Sequence, residues 1–468
     1  MARLVIVSNR VASPKERAAK AGGLAVALRE ALGKRGGLWF GWSGETRPNA
    51  PAEPKVVRSG KVMYALQDLD PDDQRAHYAG YANGTLWPLC HYRLGALSFR
   101  RTDWEGYRRV NAHFARALLP LLKPDDIVWV HDYHFILLAA ELRRLGFTGR
   151  IGYFHHIPWP TPEVFLSLPS HAALVRDLAQ YDLVGLQTEN DVRALLTYLS
   201  TEARAWIAPG GVVGLNERRF RVASYPIGID ADAFVKDAAA SVGSEEEERL
   251  QSSLAGRVLA VGVDRLDYSK GLPNKFAAFG ELLNHYPQHR SRVTMMQIAP
   301  LSRGEVAEYR ALRRELEELG GAINGEYAEF DWVPLRYLNR PFPRATLAAI
   351  YRASKLGLVT PLRDGMNLVA KEYVAAQDPD DPGVLILSRF AGAADEMTGA
   401  LLVNPYDVEG MAETFDAGLT MSQDERRERW RANMDKVETN TIHHWCERFI
   451  ADLSQIADHF TEAPEPGR

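Results

Sequence analysis

Short runs of β-branched and other apolar residues alternate with longer amphipathic stretches through most of the chain. In the first half, six runs have the length and composition of buried strands. These runs are "RLVIVSN" (3–9), "KVMYAL" (61–66), "IVWVHD" (127–132), "RIGYFHHI" (150–157), "LVGLQ" (183–187) and "RVASYPIG" (221–228). Helical patterns such as "ILLAAELRRLG" lie between several of them. Because strands that alternate with helices form right-handed βαβ units, the pattern predicts an α/β fold with a largely parallel sheet.

A small, polar and acidic stretch at 236–256 interrupts this alternation, which then starts again. Further strand candidates follow at 257–263, 293–299, 356–360, 384–388 and 400–404. We therefore predict two doubly wound domains, an N-terminal one over 1–240 and a second over 241–440, whose loops face one central cleft. A charged helical segment at 441–468 is expected to pack back toward the N-terminal domain.

Composition excludes several classes of protein. Lys plus Arg (56) nearly balances Asp plus Glu (60) without a basic run, which argues against a nucleic-acid partner. Only two cysteines occur, far apart, which argues against a disulfide framework and fits a reducing compartment. No apolar run approaches the length of a membrane span. We expect a cytoplasmic protein with no membrane partner.

The segment "VGVDRLDYSKGL" (261–272) places two cations directly after a predicted strand. Arg265 offers a planar fork of donors and Lys270 a point charge, a combination that suits a diphosphate. The alternative is a surface ion pair with Asp264 or Asp267.

The segment "LVTPLRDGMNLVAKEYVAAQ" (358–377) predicts a strand, a turn and a helix that begins near Met366. Gly365 permits a tight turn, and free N–H groups from Gly365 to Val369 would form an anion site at the helix N-terminus. Asp364 could accept hydrogen bonds from sugar hydroxyls, or it could simply cap the helix.

Glu372 lies on the apolar side of that predicted helix, where a charge needs a partner. A ribose diol would supply two donors. The alternative is a buried salt bridge to Lys371 or Arg363.

In the predicted first domain, each candidate residue is weak evidence for a site when it is taken alone. Arg10 ends the first strand, and Gly22 and Gly23 precede a helical pattern whose backbone amides could bind an anion. An aromatic and polar group, typical of carbohydrate pockets, comprises Trp39, Trp42, Tyr78, Trp87, Asp132 and His156. Two Asp-x-Asp patterns, at 230–232 and 378–380, are interpreted as solvated, so no metal is expected.

Six motifs together are specific: "GGLWFGWSGE", "WVHDYH", "HIPWPTPE", "GLQTEND", "RLDYSKGL" and "TPLRDGMNLVAKEYVAAQ". With them, nearly the whole chain resembles the trehalose-6-phosphate synthase family, which is glycosyltransferase family 20. The resemblance implies the GT-B fold, two Rossmann-like domains that face a central cleft. It also implies a retaining transfer of glucose from UDP-glucose to glucose 6-phosphate, giving α,α-trehalose 6-phosphate and UDP, with no cofactor. A homo-oligomer, dimer or tetramer, is a further expectation.

The same resemblance implies roles for matching residues. The acceptor glucose 6-phosphate would contact Arg10, Trp39, Tyr78, Trp87, Asp132 and Arg303. The donor would contact Gly22, Gly23, Arg265, Lys270, Asp364, Gly365, Met366, Asn367, Leu368, Val369 and Glu372. The residues expected to take part in catalysis are His156, Arg265, Lys270, Asp364 and Asp132.

Three alternatives stay open at the level of sequence. One is a related transferase that uses ADP- or GDP-glucose, or another phosphorylated acceptor such as glycerol 3-phosphate. The second is a catalytically silent sugar-phosphate sensor with the same fold. The third is a pyridoxal-dependent glycan phosphorylase, which the absence of a cofactor-lysine signature disfavours.

Overall fold

The computed structural model describes residues 2–11, 28, 32–33, 36–301 and 307–457. The chain forms two compact units, Met1–Pro226 with His443–Arg468, and Ile227–Ile442. Each unit is a mainly parallel sheet with helices along its connections. This architecture confirms the predicted fold class of two α/β domains.

In its described part, the first unit holds one ten-stranded sheet in the order β3-β4-β2-β1-β5-β6-β7-β10-β9-β8. The strands are β1 (Leu4–Arg10), β2 (Gly37–Thr46), β3 (Lys55–Ser59), β4 (Val62–Leu69), β5 (Ile127–His131), β6 (Arg150–Phe154), β7 (Leu183–Leu186), β8 (Trp206–Ala208), β9 (Val212–Leu215) and β10 (Arg218–Ser224). Pairing is parallel from β4 to β10 and antiparallel at both edges. Because the chain continues from β1 to β2 on one side and returns to β5 on the other, the sheet has a switch point between β1 and β5, where ligands bind in such folds.

Helices cover this sheet. Their bounds are Pro71–Gln74, Trp87–Cys90, Arg101–Leu118, Leu138–Arg144, Pro162–Phe165, His171–Leu178 and Glu189–Thr201, with a π-helical segment at Arg75–Leu86. The closing helix, Ile442–Ser454, begins at the last residue of the second unit and continues in the first. On it, Trp445 and Phe449 pack against Trp129 of β5, with ring centroids 4.7 and 4.5 Å apart.

Among its described residues, the second unit holds a six-stranded sheet in the order β13-β12-β11-β14-β15-β16, and all of the pairings between these strands are parallel. The strands are β11 (Val258–Val263), β12 (Val293–Ile298), β13 (Leu335–Leu338), β14 (Leu356–Val359), β15 (Val384–Ser388) and β16 (Leu401–Val403). This is the 3-2-1-4-5-6 order of doubly wound nucleotide-binding sheets, with its switch point between β11 and β14. The helices are Ala231–Ala240, Glu245–Leu254, Leu272–His285, Ala307–Tyr327, Arg344–Arg352, Leu368–Ala375, Val408–Thr420 and Gln423–Thr439.

The boundary between the units follows Pro226, whereas the sequence suggests one near residue 240. The polar stretch that resembles a linker forms helices of the second unit, because Asp230 and Ser244 cap their N-termini. Asp237 then pairs with Arg344 of a neighbouring helix at 2.7 Å. Capping and pairing therefore order a segment that composition alone presents as a connection.

Five strands have no counterpart among the sequence predictions, namely β2, β3, β8, β9 and β13. Four of these lie at or beside a sheet edge, and in β3, β8 and β13 exposed or half-buried positions dilute the apolar pattern, whereas β9 is only four residues long and includes a glycine. β2 is central, but its sequence "GLWFGWSGET" contains three glycines, which weaken a strand signal.

Candidate active site

The two strands at the switch point of the second sheet are each followed by a loop that carries charged residues. Arg265, which is exposed, and Lys270 follow β11, and Asp364 follows β14. The Lys270 ammonium donates to the Asp364 carboxylate, and both side chains are mostly buried. The structure therefore brings together two residues that are 94 positions apart in the chain.

The alternative partners that sequence reasoning offered for Lys270 are occupied elsewhere. Asp264 binds the buried ammonium of Lys275 at 2.7 Å. Asp267 accepts from the Ser269 backbone N–H at 3.0 Å and from the Tyr309 hydroxyl at 2.9 Å. These contacts hold the loop that follows β11, so Lys270 reaches across to the neighbouring strand end.

The turn after β14 is held by backbone contacts. The Asp364 N–H donates to the Phe390 carbonyl at 3.0 Å, and the Met366 carbonyl accepts from the Ala393 N–H at 2.9 Å. Gly365 and Met366 are buried in this turn. Asn367 adopts a left-handed conformation with φ 72° and donates its side-chain N–H to Asp364 at 3.1 Å.

The helix after this turn begins at Leu368, two residues later than predicted. Asn367 occupies its N-cap without a side-chain cap hydrogen bond, so the alternative that Asp364 caps the helix is wrong. The N–H groups of Leu368 and Val369 are the first of the helix and have no intrahelical acceptor. They lie at the positive end of the helix dipole, where an anion is favoured.

Glu372 is half-buried on this helix. Burial raises the pKa of its carboxyl from an ordinary 4.5 to about 7, while the Tyr351 hydroxyl and the charge of Arg344 act in the opposite direction. The alternative salt bridge to Lys371 is wrong, because the Lys371 ammonium binds Glu396 at 2.6 Å. A carboxyl poised between its two protonation states can accept two hydrogen bonds from a diol once it ionises.

In the first unit, Arg10 and Asp132 stand at the ends of β1 and β5, the switch-point pair. The Arg10 guanidinium lies across Gly44, where an added Cβ would come within 3.0 Å of Nε. Asp132 has φ 74° and ψ 167°, a conformation that costs a residue other than glycine about 1–3 kcal/mol. Its N–H donates to the Phe154 carbonyl at 2.7 Å, and its carboxylate accepts from the His156 N–H at 3.2 Å. A strained backbone conformation that hydrogen bonds stabilise at the end of a strand is typical of a functional site.

Tyr78 lies on the π-helical segment, is half-buried and stacks on His134 with ring centroids 5.8 Å apart. The ring of Trp42, on β2, also contacts Tyr78, with ring centroids 6.2 Å apart. Trp87 is buried against His91 at 4.1 Å. Of these three rings, Trp42 and Tyr78 keep surface that a ligand can contact.

Trp39 is fully buried, and its indole N–H donates to the Ser8 hydroxyl at 2.8 Å. That hydroxyl donates in turn to the Arg10 carbonyl at 3.1 Å. In this arrangement Trp39 supports the end of β1 through Ser8, so an acceptor-lining role would be indirect.

Three predicted site residues, Gly22, Gly23 and Arg303, lie outside the described residues. In the part of the chain that is described, no group of three or more His, Cys, Asp or Glu side chains is arranged to hold a metal ion. Asp378 of the second Asp-x-Asp pattern pairs with Arg352 at 2.7 Å. The described helices include none that is long and apolar enough to cross a bilayer.

Two residues of the site were missed as candidates. Tyr351 faces Glu372 from another helix, and no local pattern marks it. His131 contacts His156, and the only available signal was its place beside Asp132 in "WVHDYH".

Comparison with known proteins extends these observations. The model of glycosyltransferase family 20 matches residues 3–455. A trehalose-6-phosphate synthase from Sinorhizobium fredii is 49% identical over 461 residues, which cover 98% of this chain and 99% of the relative.

Two solved structures are similar along their whole length. One is a UDP-forming α,α-trehalose-phosphate synthase from Burkholderia xenovorans in complex with glucose-6-phosphate, with a TM-score of 0.93, 46% identity and coverage of 97% and 100% of the two chains. The other is described as trehalose-6-phosphate from E. coli bound with UDP-2-fluoro glucose, with a TM-score of 0.93, 49% identity and coverage of 97% and 99%. These matches confirm the family predicted from the motifs. The chain belongs to glycosyltransferase family 20.

Proposed function

We propose that the protein is a retaining glucosyltransferase that makes α,α-trehalose 6-phosphate from UDP-glucose and glucose 6-phosphate, with release of UDP. One observation carries the proposal. The switch point of a 3-2-1-4-5-6 sheet presents two cations, an ion-paired aspartate, a helix N-terminus and a carboxyl poised to ionise. That set matches the diphosphate, the sugar and the ribose of a nucleotide sugar. Membership of the family, and its relatives bound to glucose-6-phosphate and UDP-2-fluoro glucose, support the choice of substrates.

In this proposal the second unit holds the donor. Arg265, Lys270 and the N–H groups of Leu368 and Val369 bind the diphosphate, and the Glu372 carboxylate accepts from both ribose hydroxyls. Asp364 accepts from a hydroxyl of the transferred glucose while it orients Lys270. Gly365, Met366 and Asn367 shape the turn so that its backbone can approach the ligand.

The first unit holds the acceptor. We assign Arg10 to the phosphate of glucose 6-phosphate, because guanidinium groups bind phosphate oxygens bidentately, and Arg303, which lies outside the described residues, is a second candidate for that role. Tyr78, with Trp42 beside it, provides an apolar ring face, whereas the buried Trp87 can support the acceptor only indirectly, and Asp132 accepts from a sugar hydroxyl. Gly22 and Gly23 contribute backbone N–H groups to the donor diphosphate.

Transfer proceeds on one face of the donor sugar. The bond between the anomeric carbon and the diphosphate oxygen breaks as the acceptor hydroxyl forms the new bond, and that hydroxyl's proton passes to the departing diphosphate. Retention by double displacement would need a carboxylate close to the far face of the anomeric carbon. We assign Asp364 and Asp132 to sugar hydroxyls and not to nucleophilic attack; Asp364 also binds Lys270, and Asp132 also accepts from the backbone N–H of His156. Catalysis then rests on positioning and on neutralising the charge that grows on the leaving group.

The test is nucleotide release by purified protein from UDP-, ADP- and GDP-glucose, with and without glucose 6-phosphate, and with glycerol 3-phosphate as a second acceptor. We expect UDP release that requires glucose 6-phosphate, and a product that carries two α-linked anomeric carbons by NMR. Release with another nucleotide or acceptor would indicate a related transferase. Nucleotide binding without release from any pair would favour the sensor.

We also propose a cytoplasmic location and a homo-oligomer. The sequence has only two cysteines, Cys90 and Cys446, which are far apart in the chain and both buried, and such sparse use of cysteine suits a reducing compartment. Light scattering of the purified protein would measure the assembly, and a monomeric mass would reject it.

A further inference from the structure

Two imidazoles join the ends of neighbouring strands in the first unit. His131 is the last residue of β5, and its Nδ1 lies 3.0 Å from Nε2 of His156, just beyond β6. The strands pair in parallel with His131 opposite Phe154. The contact is therefore set by the register of the sheet, and it lies next to the hydrogen bond in which the backbone N–H of His156 donates to the Asp132 carboxylate.

The surroundings of this pair keep both rings neutral. His131 is fully buried among the rings of Trp129, Phe154 and Trp445, with centroids 4.5, 6.5 and 6.1 Å away. Burial lowers the pKa of His131 to about 3, and burial together with the neighbouring imidazoles lowers the pKa of His156 well below its ordinary value. At neutral pH the contact therefore consists of one N–H donor and one nitrogen lone pair.

The remaining nitrogen of His131 decides which ring donates. Its Nε2 is buried and has no hydrogen-bond partner among the described residues. A buried N–H without an acceptor is rarer in proteins than a buried acceptor without a donor. The proton of His131 therefore belongs on Nδ1, where it donates to Nε2 of His156. His156 must then carry its own proton on Nδ1.

We propose that His131 is a positioning residue that holds His156 in the Nδ1–H tautomer, so that His156 presents a neutral N–H donor to an oxygen of the nucleotide-sugar donor. The inference rests on the proposed function, since it assigns His156 to the donor substrate. It adds a residue that acts through another side chain and contacts no substrate. It also gives His156 one defined role: it donates a hydrogen bond and does not act as a base.

Two substitutions separate the hydrogen bond from packing. His131→Phe keeps a ring of similar shape but removes the N–H, whereas His131→Asn places an amide N–H close to the position of Nδ1. Trp445→Phe is the matched control, because Trp445 packs on both imidazoles, at 6.1 and 5.9 Å, without a hydrogen bond to either.

We expect His131→Phe to lower kcat/KM for UDP-glucose about tenfold or more, the scale of one lost hydrogen bond at a reacting group, with a smaller effect on the KM of glucose 6-phosphate. His131→Asn should restore most of the loss. Trp445→Phe should lower the thermal unfolding midpoint yet keep the kinetics. A folded His131→Phe variant with unchanged donor kinetics would overturn the proposal.

Histidine-labelled protein gives a second readout that does not depend on activity. Two-bond ¹H–¹⁵N spectra distinguish the two tautomers, and His156 should be protonated at Nδ1 in the wild-type protein and shift toward Nε2 in His131→Phe. Protonation of wild-type His156 at Nε2 would reject the inference even if the enzyme is active. Conversely, a wild-type protein that releases no nucleotide would reject the proposed function while the spectra still report the tautomer. If His131→Phe does not fold, the wild-type spectrum alone decides.

Discussion

Lys270 and Asp364 form an ion pair whose members come from adjacent strand ends, and both side chains are mostly buried. Such a pair is weak evidence for stability, because desolvation offsets much of its attraction. Its value here is positional, since a lysine held by Asp364 stays where a diphosphate would bind. Substitution of Lys270 therefore tests the chemistry of the site directly.

We predict that Lys270→Ala lowers kcat by about 10²–10³, because it removes a cation that stabilises charge on the leaving group. The KM for glucose 6-phosphate should change little, since Lys270 does not lie in the acceptor unit. Steady-state kinetics with both substrates measure this. Arg313→Ala, which breaks an exposed pair with Glu317, is the control and should leave kinetics unchanged. Wild-type turnover in Lys270→Ala would contradict the assigned role.

Glu372 leads to a prediction about pH. Its pKa is about 7 in the folded protein and 4.5 ordinarily, so between these values the folded state holds a proton that the unfolded state has released. Stability conferred by the neutral form is therefore fully present below pH 4.5 and is lost as pH rises to about 7. Glu372→Gln cannot ionise, so its unfolding midpoint relative to wild type should increase across that interval and level off above it. Thermal unfolding of the ligand-free proteins at a series of pH values measures this.

The same carboxyl should control donor affinity in the opposite sense. Ribose hydroxyls donate best to the ionised form, so UDP should bind wild-type protein more weakly as pH falls below about 7. Titration calorimetry should show a steeper dependence in the wild type than in Glu372→Gln, because the terminal phosphate of UDP, with a second pKa of about 6, titrates in both experiments. If the difference in thermal unfolding midpoint between Glu372→Gln and wild type did not vary with pH, the pKa of Glu372 would not be raised by burial.

At the scale of elements, the turn between β11 and the helix Leu272–His285 depends on a close backbone approach. Gly271 has φ 63°, and an added Cβ would lie 2.7 Å from the Thr360 carbonyl, which follows β14. The turn can therefore pack against the neighbouring strand end only because position 271 has no side chain. This packing fixes the position of the adjacent Lys270.

We predict that Gly271→Ala destabilises the protein by more than the roughly 1–2 kcal/mol that a left-handed conformation alone costs, and weakens UDP binding. Gly243→Ala is a matched control, because Gly243 has φ 72° with nothing within 4 Å of its added Cβ. It should show only the conformational cost and normal UDP affinity. Denaturant unfolding and UDP titration compare the two, and equal effects would argue against the close approach.

At the scale of the whole molecule, the chain leaves the first unit, builds the second and returns to the first for its closing helix. Phe449 of that helix stacks on Trp129 and also fits against Gly152 and Gly185, where an added Cβ would lie 2.8 Å from its ring. The last helix is therefore part of the core of the first unit.

We predict that Phe449→Ala destabilises the first unit by about 3–5 kcal/mol, the usual cost of a large buried cavity. Phe330→Ala is the control, because Phe330 is fully exposed, and it should change stability by no more than about 0.5 kcal/mol. Denaturant unfolding followed by circular dichroism measures the loss of stability. A small effect of Phe449→Ala would show that this unit folds without its closing helix.

Much of the fold was predictable because its signals are local. The βαβ alternation, the strand that ends in Arg10, the strands that precede Asp132, Arg265 and Asp364, and the family motifs all follow from runs of adjacent residues. The periodic pattern of apolar side chains along a strand or helix depends only on residues that are close in sequence, so a single sequence is enough to detect it. The membership of the family, which rests on several such runs in order, was predictable for the same reason.

The partners of those residues were decided only by the tertiary structure. Lys270 pairs with Asp364 and not with Asp267, which is nearer in the sequence. Lys371 binds Glu396 and not Glu372, and His131 contacts His156. Each choice depends on which strands are neighbours and on how their ends are staggered, and local patterns do not encode strand order. The sequence by itself determined which chemical groups stand at the strand ends, whereas packing determined which of them meet, because long-range contacts are a property of the assembled sheet.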